Sequence, residues 1–178
     1  MNRVLDRDRT VLVVVDVQEA FRTVVDGFAA VADRTAVLIQ GARALGVPVV
    51  VTEQYPRGLG ETVPEVAAHL AGVPRLEKTV FSAAGAEGFD LAGRDQALVC
   101  GIETHVCVSQ TVHELLHDGV EVHVATDAVA SRSPEDRRVG LDKMERSGAV
   151  LSSTEMALFE LLGRAGTDEF KTIQRLIL

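Results

Sequence analysis

Apolar residues fall in short blocks along this chain, separated by stretches of helical spacing. Val11-Leu12-Val13-Val14-Val15 is an uninterrupted aliphatic run, which predicts a strand buried on both faces. Residues 27–45 carry apolar positions at helical spacing, and Gly46 stands where such a helix would end. Pro48-Val49-Val50-Val51 predicts a second strand, Gln96-Ala97-Leu98-Val99-Cys100 a third, residues 120–125 a fourth and Ala149-Val150-Leu151-Ser152 a fifth. Helices are expected near 104–118 and 134–147. Strands alternating with helices in this way predict an α/β fold: a three-layer α/β/α sandwich with a mainly parallel central sheet and Rossmann-like topology. With no linker, repeat or low-complexity stretch in view, residues 1–178 read as a single domain. The segment 55–95 is rich in Gly and Pro and is expected to be the least regular part, a place for binding loops.

Composition narrows the function classes. Hydrophobic residues make up 47% of the 178, but aromatics only 4%, so the core must be built from Val, Leu and Ala. The formal charge of −8 argues against a nucleic-acid partner, which wants a basic face. No run is long enough to span a bilayer, so no membrane partner is expected. Residues 1–9 contain no apolar signal-peptide core, and two cysteines make no disulfide framework. Both features point to a cytoplasmic protein.

In open parallel sheets, ligands sit beyond the carboxyl ends of the strands. Asp16-Val17-Gln18 follows the first predicted strand, Thr52-Glu53-Gln54-Tyr55 the second, Gly101-Ile102-Glu103-Thr104-His105-Val106-Cys107 the third, and Thr126-Asp127 the fourth. Cys107 falls in the first turn of the helix that comes next. A helix N-terminus offers free N–H groups and partial positive charge, which favour a thiolate and could hold an oxyanion. On position alone, Cys107 could equally be a small buried apolar residue. Cys100 lies inside a strand and reads as inert core.

These residues also carry a likeness. The segments Val14-Val15-Asp16-Val17-Gln18, 52–60, Glu77-Lys78-Thr79-Val80-Phe81-Ser82, Cys100 to Val108, and Asp127-Ala128-Val129-Ala130-Ser131-Arg132 are ordered as in the isochorismatase-like cysteine hydrolases. The chain resembles that superfamily from about Val11 to Lys171, and most closely its isochorismatase domain-containing proteins. The resemblance implies an Asp–Lys–Cys triad on Asp16, Lys78 and Cys107. Asp16 would take the thiol proton and later activate water, Lys78 would stabilise the charged pair, and Cys107 would attack an electrophilic carbon. It further implies a cis peptide bond between Ile102 and Glu103, an oxyanion hole from the Glu103 and Cys107 N–H groups, and a homo-oligomer. Candidate substrate-binding residues are Gln18, Phe21, Glu53, Gln54, Tyr55, Phe81, Ser82 and His105.

Departures from relatives shape the expected reaction. Thr52-Glu53-Gln54 lacks the Asp-x-His pair with which nicotinamidases of this superfamily bind metal, so no metal and no cofactor are expected. Isochorismatases proper usually lack the cysteine, because an enol ether is cleaved by protonation. Retention of Cys107 implies covalent hydrolysis of a small molecule at an amide or related C–N bond. A non-catalytic binding or scaffold protein on the same fold is the alternative. His113-Glu114-Leu115-Leu116-His117 matches the H-E-x-x-H zinc-protease pattern, with His123 ten residues after His113. However, Val108, Val112, Leu115 and Leu116 form the apolar stripe of that helix, which leaves the histidines on its solvent side.

Overall fold

The computed structural model describes residues 3–178. Six strands form one sheet: β1 (Thr10–Val15), β2 (Val49–Gln54), β3 (Arg75–Lys78), β4 (Gln96–Ile102), β5 (Glu121–Ala130) and β6 (Val150–Ser152). Their spatial order is β3-β2-β1-β4-β5-β6, and every pairing is parallel. The helices are α1 (Phe28–Ala44), α2 (Pro56–Leu59), α3 (Pro64–Ala67), α4 (Ser109–His117), α5 (Pro134–Arg146), α6 (Thr154–Leu162) and α7 (Asp168–Ile177). The result is a three-layer α/β/α sandwich.

Alternation along the central strands divides the core in two. Leu12 and Val14 of β1, with Leu98, Cys100 and Ile102 of β4, pack with α1, α6 and α7. Val11, Val13, Val15, Ala97 and Val99 face the other way, against Val112 and Leu115 of α4 and Met144 of α5. All six residues of β1 are buried, as its unbroken aliphatic run requires.

The chain leaves β1 for β2 on one side and meets β4 on the other, so the strand order reverses between β1 and β4. A crevice at the carboxyl ends of these two strands follows from that reversal. Gly101 lets the two strand ends approach. Its φ is +123°, and a Cβ there would sit 2.0 Å from the Val15 carbonyl oxygen. The Ile102–Glu103 peptide bond that follows is cis.

Four elements differ from the sequence reading. The irregular segment contains a strand, β3, whose Arg75-Leu76-Glu77-Lys78 has a single apolar residue. It is an edge strand paired only with β2, so it needs no two-sided apolar pattern. β5 runs on to Ala130, past a register shift between Val99 and Gly101 on its neighbour; Thr126-Asp127 is therefore inside the strand. Its Asp127 carboxylate accepts from the N–H (2.8 Å) and hydroxyl (3.1 Å) of Thr154, tying β5 to the start of α6. Helices α6 and α7 close the face over α1 and complete the sandwich.

Candidate active site

Asp16 is the first residue after β1 and adopts a left-handed backbone, φ 52°, which Asp tolerates better than most residues. Its carboxylate is fully buried. Lys78, the last residue of β3, donates to Asp16 Oδ2 at 2.7 Å, and neither side chain has any exposure. Thr52 of β2 donates its hydroxyl to Asp16 Oδ1, also at 2.7 Å. Three adjacent strand ends thus converge on one carboxylate.

The Lys78 ammonium also donates to Gln54 Oε1 (2.6 Å) and to the carbonyls of Phe81 (2.9 Å) and Val80 (3.3 Å). Four acceptors for three N–H groups leave nothing to offer a ligand. Gln54 is in turn held by its own amide, which donates to the Thr79 carbonyl at 3.0 Å.

Cys107 lies in a π-helical turn, Thr104–Val108, that runs into α4. Thr111 fixes that turn, donating to the Cys107 carbonyl (2.7 Å) while accepting from the Ala83 N–H (2.8 Å). From the other side, Gly140 of α5 comes so close that a Cβ would lie 3.0 Å from the His105 Cα. The Cys107 thiol is pushed up to about 12. Burial is the main cause and the Asp16 charge the next; Lys78 pulls in the opposite direction. This corrects the expectation that a helix N-terminus would favour a resting thiolate. Desolvation and a neighbouring carboxylate outweigh it, so the group rests as a thiol beside a base. Cys100 is pushed equally high by complete burial.

A pocket of about 470 Å³ opens over Cys107, a size suited to a small ligand. Ala20, Phe21, Val24, Leu59, Phe81 and Val106 supply its apolar lining, and Gln54, Glu103 and Arg132 its polar one. Glu103 Oε1 accepts from the Arg132 backbone N–H (2.9 Å) and Nε (3.0 Å).

The proposed lining residues separate into two groups. Phe21, Gln54 and Phe81 border this pocket. Gln18 does not. It is completely buried, donates to the Gln54 and Gly60 carbonyls (3.0 and 2.6 Å) and accepts from the Gln54 N–H (2.8 Å). It is an internal staple between the ends of β1 and β2. Glu53 is likewise turned inward, accepting from the Thr62 N–H and hydroxyl at 2.7 and 2.6 Å. Tyr55 lines a separate cavity of about 310 Å³ with Pro56, Arg57 and Glu77. Ser82 caps a short turn by accepting from Ala84 N, and the His105 ring bonds the Ser131 hydroxyl at 2.9 Å. Thr52 and Arg132 are further site residues that local sequence pattern does not single out, although Arg132 closes the 127–132 motif.

The zinc-like pattern does not assemble. His113 Nδ1 bonds the Ser109 carbonyl at 2.6 Å, His117 is exposed, and His123 is buried within β5. Among the described residues, no three His, Cys, Asp or Glu side chains gather in a metal-binding group.

The fold is a parallel α/β sandwich with a buried carboxylate, ammonium and thiol near its switch point. The isochorismatase domain profile matches residues 10–156, and the chain belongs to the isochorismatase family. It is 42% identical over 173 residues to mouse isochorismatase domain-containing protein 2A, covering 96% of this chain and 83% of that protein. The MAR1 ribonuclease of Caenorhabditis elegans superposes with a TM-score of 0.94 at 40% identity, over 98% of this chain and 92% of that one. YcaC of Escherichia coli, an octameric hydrolase of unknown specificity, shares the fold: TM-score 0.90 at 22% identity, with 99% and 90% covered. No described helix is long and apolar enough to cross a membrane.

Proposed function

We propose that this protein is a cysteine hydrolase of a small molecule, acting at an amide or related C–N bond. The observation that carries this reading is the sealed Lys78–Asp16 pair at 2.7 Å at the strand ends from which the pocket over Cys107 opens. Asp16 takes the Sγ proton as sulfur attacks the carbonyl carbon. The oxyanion that forms is held by the backbone N–H groups of Glu103 and Cys107. The C–N bond then breaks, the leaving nitrogen takes the proton from Asp16, and an acyl-thioester on Cys107 remains. Asp16 next takes a proton from water. Water oxygen attacks the thioester, the C–S bond breaks, and the proton returns to sulfur. Lys78 stays charged throughout and keeps Asp16 anionic between transfers.

The same reading takes the protein as cytoplasmic, where its two unpaired thiols stay reduced, and as a homo-oligomer by family likeness. The name of the C. elegans relative raises RNA cleavage as a second activity. A net charge of −8 and a largely apolar pocket favour a small substrate instead. The test is a hydrolysis screen of small amides and an RNA oligomer, run with wild type and Cys107→Ala. Turnover of an amide that C107A abolishes, with a trapped acyl-enzyme by mass spectrometry, is the expected result. Activity that survives C107A, or cleavage confined to RNA, would overturn the reading.

A further inference from the structure

Within the pocket, Arg132 is the cation that remains free to meet a ligand. Lys78 is sealed, with four acceptors around its ammonium. Arg132 has a side chain 60% exposed, yet its base is fixed. Its backbone N–H and its Nε both donate to Glu103 Oε1. That contact uses one edge of the guanidinium, and the two terminal amino groups make no bond among the described residues. Asp136 on α5 adds to the field around the guanidinium but forms no ion pair with it. Its Oδ2 lies 3.9 Å from the His105 ring.

Glu103 is spent on Arg132, and the lining beyond these two and Cys107 is uncharged. Phe21, Val24, Leu59, Phe81 and Val106 are apolar, and the Gln54 amide is engaged at both ends. A planar fork with free donors at the edge of an apolar pocket suits a carboxylate, which it takes in two parallel hydrogen bonds. One arginine, already half compensated by Glu103, matches a single negative charge better than a dianion.

We propose that Arg132 is the specificity determinant of this pocket and that the substrate carries a carboxylate at the end remote from the bond facing Cys107. The assignment rests on the hydrolase reading only in taking the C–N bond as the group that meets the thiol. It also gives the Glu103–Arg132 contact a purpose: the residue that reads the carboxylate is anchored to the residue whose N–H is proposed above to hold the oxyanion.

Binding tests this without turnover. Malonamic, succinamic and glutaramic acids and their neutral diamides are titrated by calorimetry into C107A and into C107A/Arg132→Gln. At least one half-amide is expected to bind C107A roughly tenfold more tightly than its diamide, the worth of one charge-assisted pair. In C107A/R132Q the two affinities should fall within about twofold. If R132Q does not fold, as read by its circular dichroism melt, Arg132→Lys keeps the charge without the fork and is expected to cut the preference by at least about threefold. Equal affinities in C107A, a preference that survives the Arg132 change, or no binding by any probe would overturn the assignment. Carboxylate-selective binding with no hydrolysis in wild type would sink the hydrolase reading and leave Arg132 standing. Diamides hydrolysed as fast as half-amides would do the reverse.

Discussion

Lys78→Met isolates the energetic core of the site. Methionine keeps much of the lysine stem and removes the ammonium. Asp16, fully buried, is left with the Thr52 hydroxyl as its side-chain partner, while the Gln54 amide and the Phe81 carbonyl each lose a donor. Breaking a buried ion pair from one side costs about 3–5 kcal/mol, because an uncompensated charge remains inside. With a urea slope of about 2 kcal/mol/M for a domain of this size, the unfolding midpoint should fall by about 1.5–2.5 M. The chain has no Trp, so far-UV circular dichroism is the signal to follow. The double variant Asp16→Asn/K78M should recover more than half of the loss, since neither charge is then buried alone. A K78M shift below about 0.5 M, or a double variant no more stable than K78M, would refute this account of the pair.

Other outcomes follow from the same geometry. Asp16→Asn should abolish hydrolysis yet lower the Cys107 thiol below its value of about 12, because the carboxylate that raises it is gone while Lys78 remains; thiolate absorbance against pH measures this. Cys100 is also raised to about 12, against about 8.5 in an unfolded chain. Its contribution to stability is therefore complete below about pH 8.5 and lost as pH climbs towards 12. The melting temperature should fall across pH 8.5–11, and more shallowly in Cys100→Ala. Gly140→Ala would press a methyl against the His105 backbone and displace the turn that carries Cys107. Its iodoacetamide reaction rate should change by about tenfold while the unfolding midpoint moves little.

Much of this architecture can be read from one sequence, and what escapes has physical causes. β1 and β4 are legible because strands buried on both faces need unbroken aliphatic runs. β3 escapes because an edge strand can be built from Arg75, Glu77 and Lys78 around one Leu. The second half of β5 escapes because Thr126-Asp127 looks like a strand end, while its carboxylate is spent inside the fold on Thr154. At the site, a polar side chain after a strand can point into the crevice or back into the protein, and spacing does not say which. Gln18 and Glu53 turned inward as staples, and Gln54 serves Lys78. The contact between Asp16 and Lys78 spans 62 positions; family likeness implies it, and no local pattern encodes it. Thr52 and Arg132 act through geometry that only the assembled strand ends create.

The position of Lys78 has a consequence for how this protein should fail on heating. The residue closes the shortest pairing at the site, a four-residue strand with a neighbour on one side only, while Asp16 and Cys107 are anchored to the interior of the sheet. Edge elements open at lower free energy than central ones. Fraying of β3 alone withdraws the ammonium from Asp16 and leaves β1, β4 and both cores intact. Function and fold should therefore separate on a temperature ramp. Activity disappears first and reversibly, with amide exchange in 75–78 as its marker, and the sheet melts only afterwards.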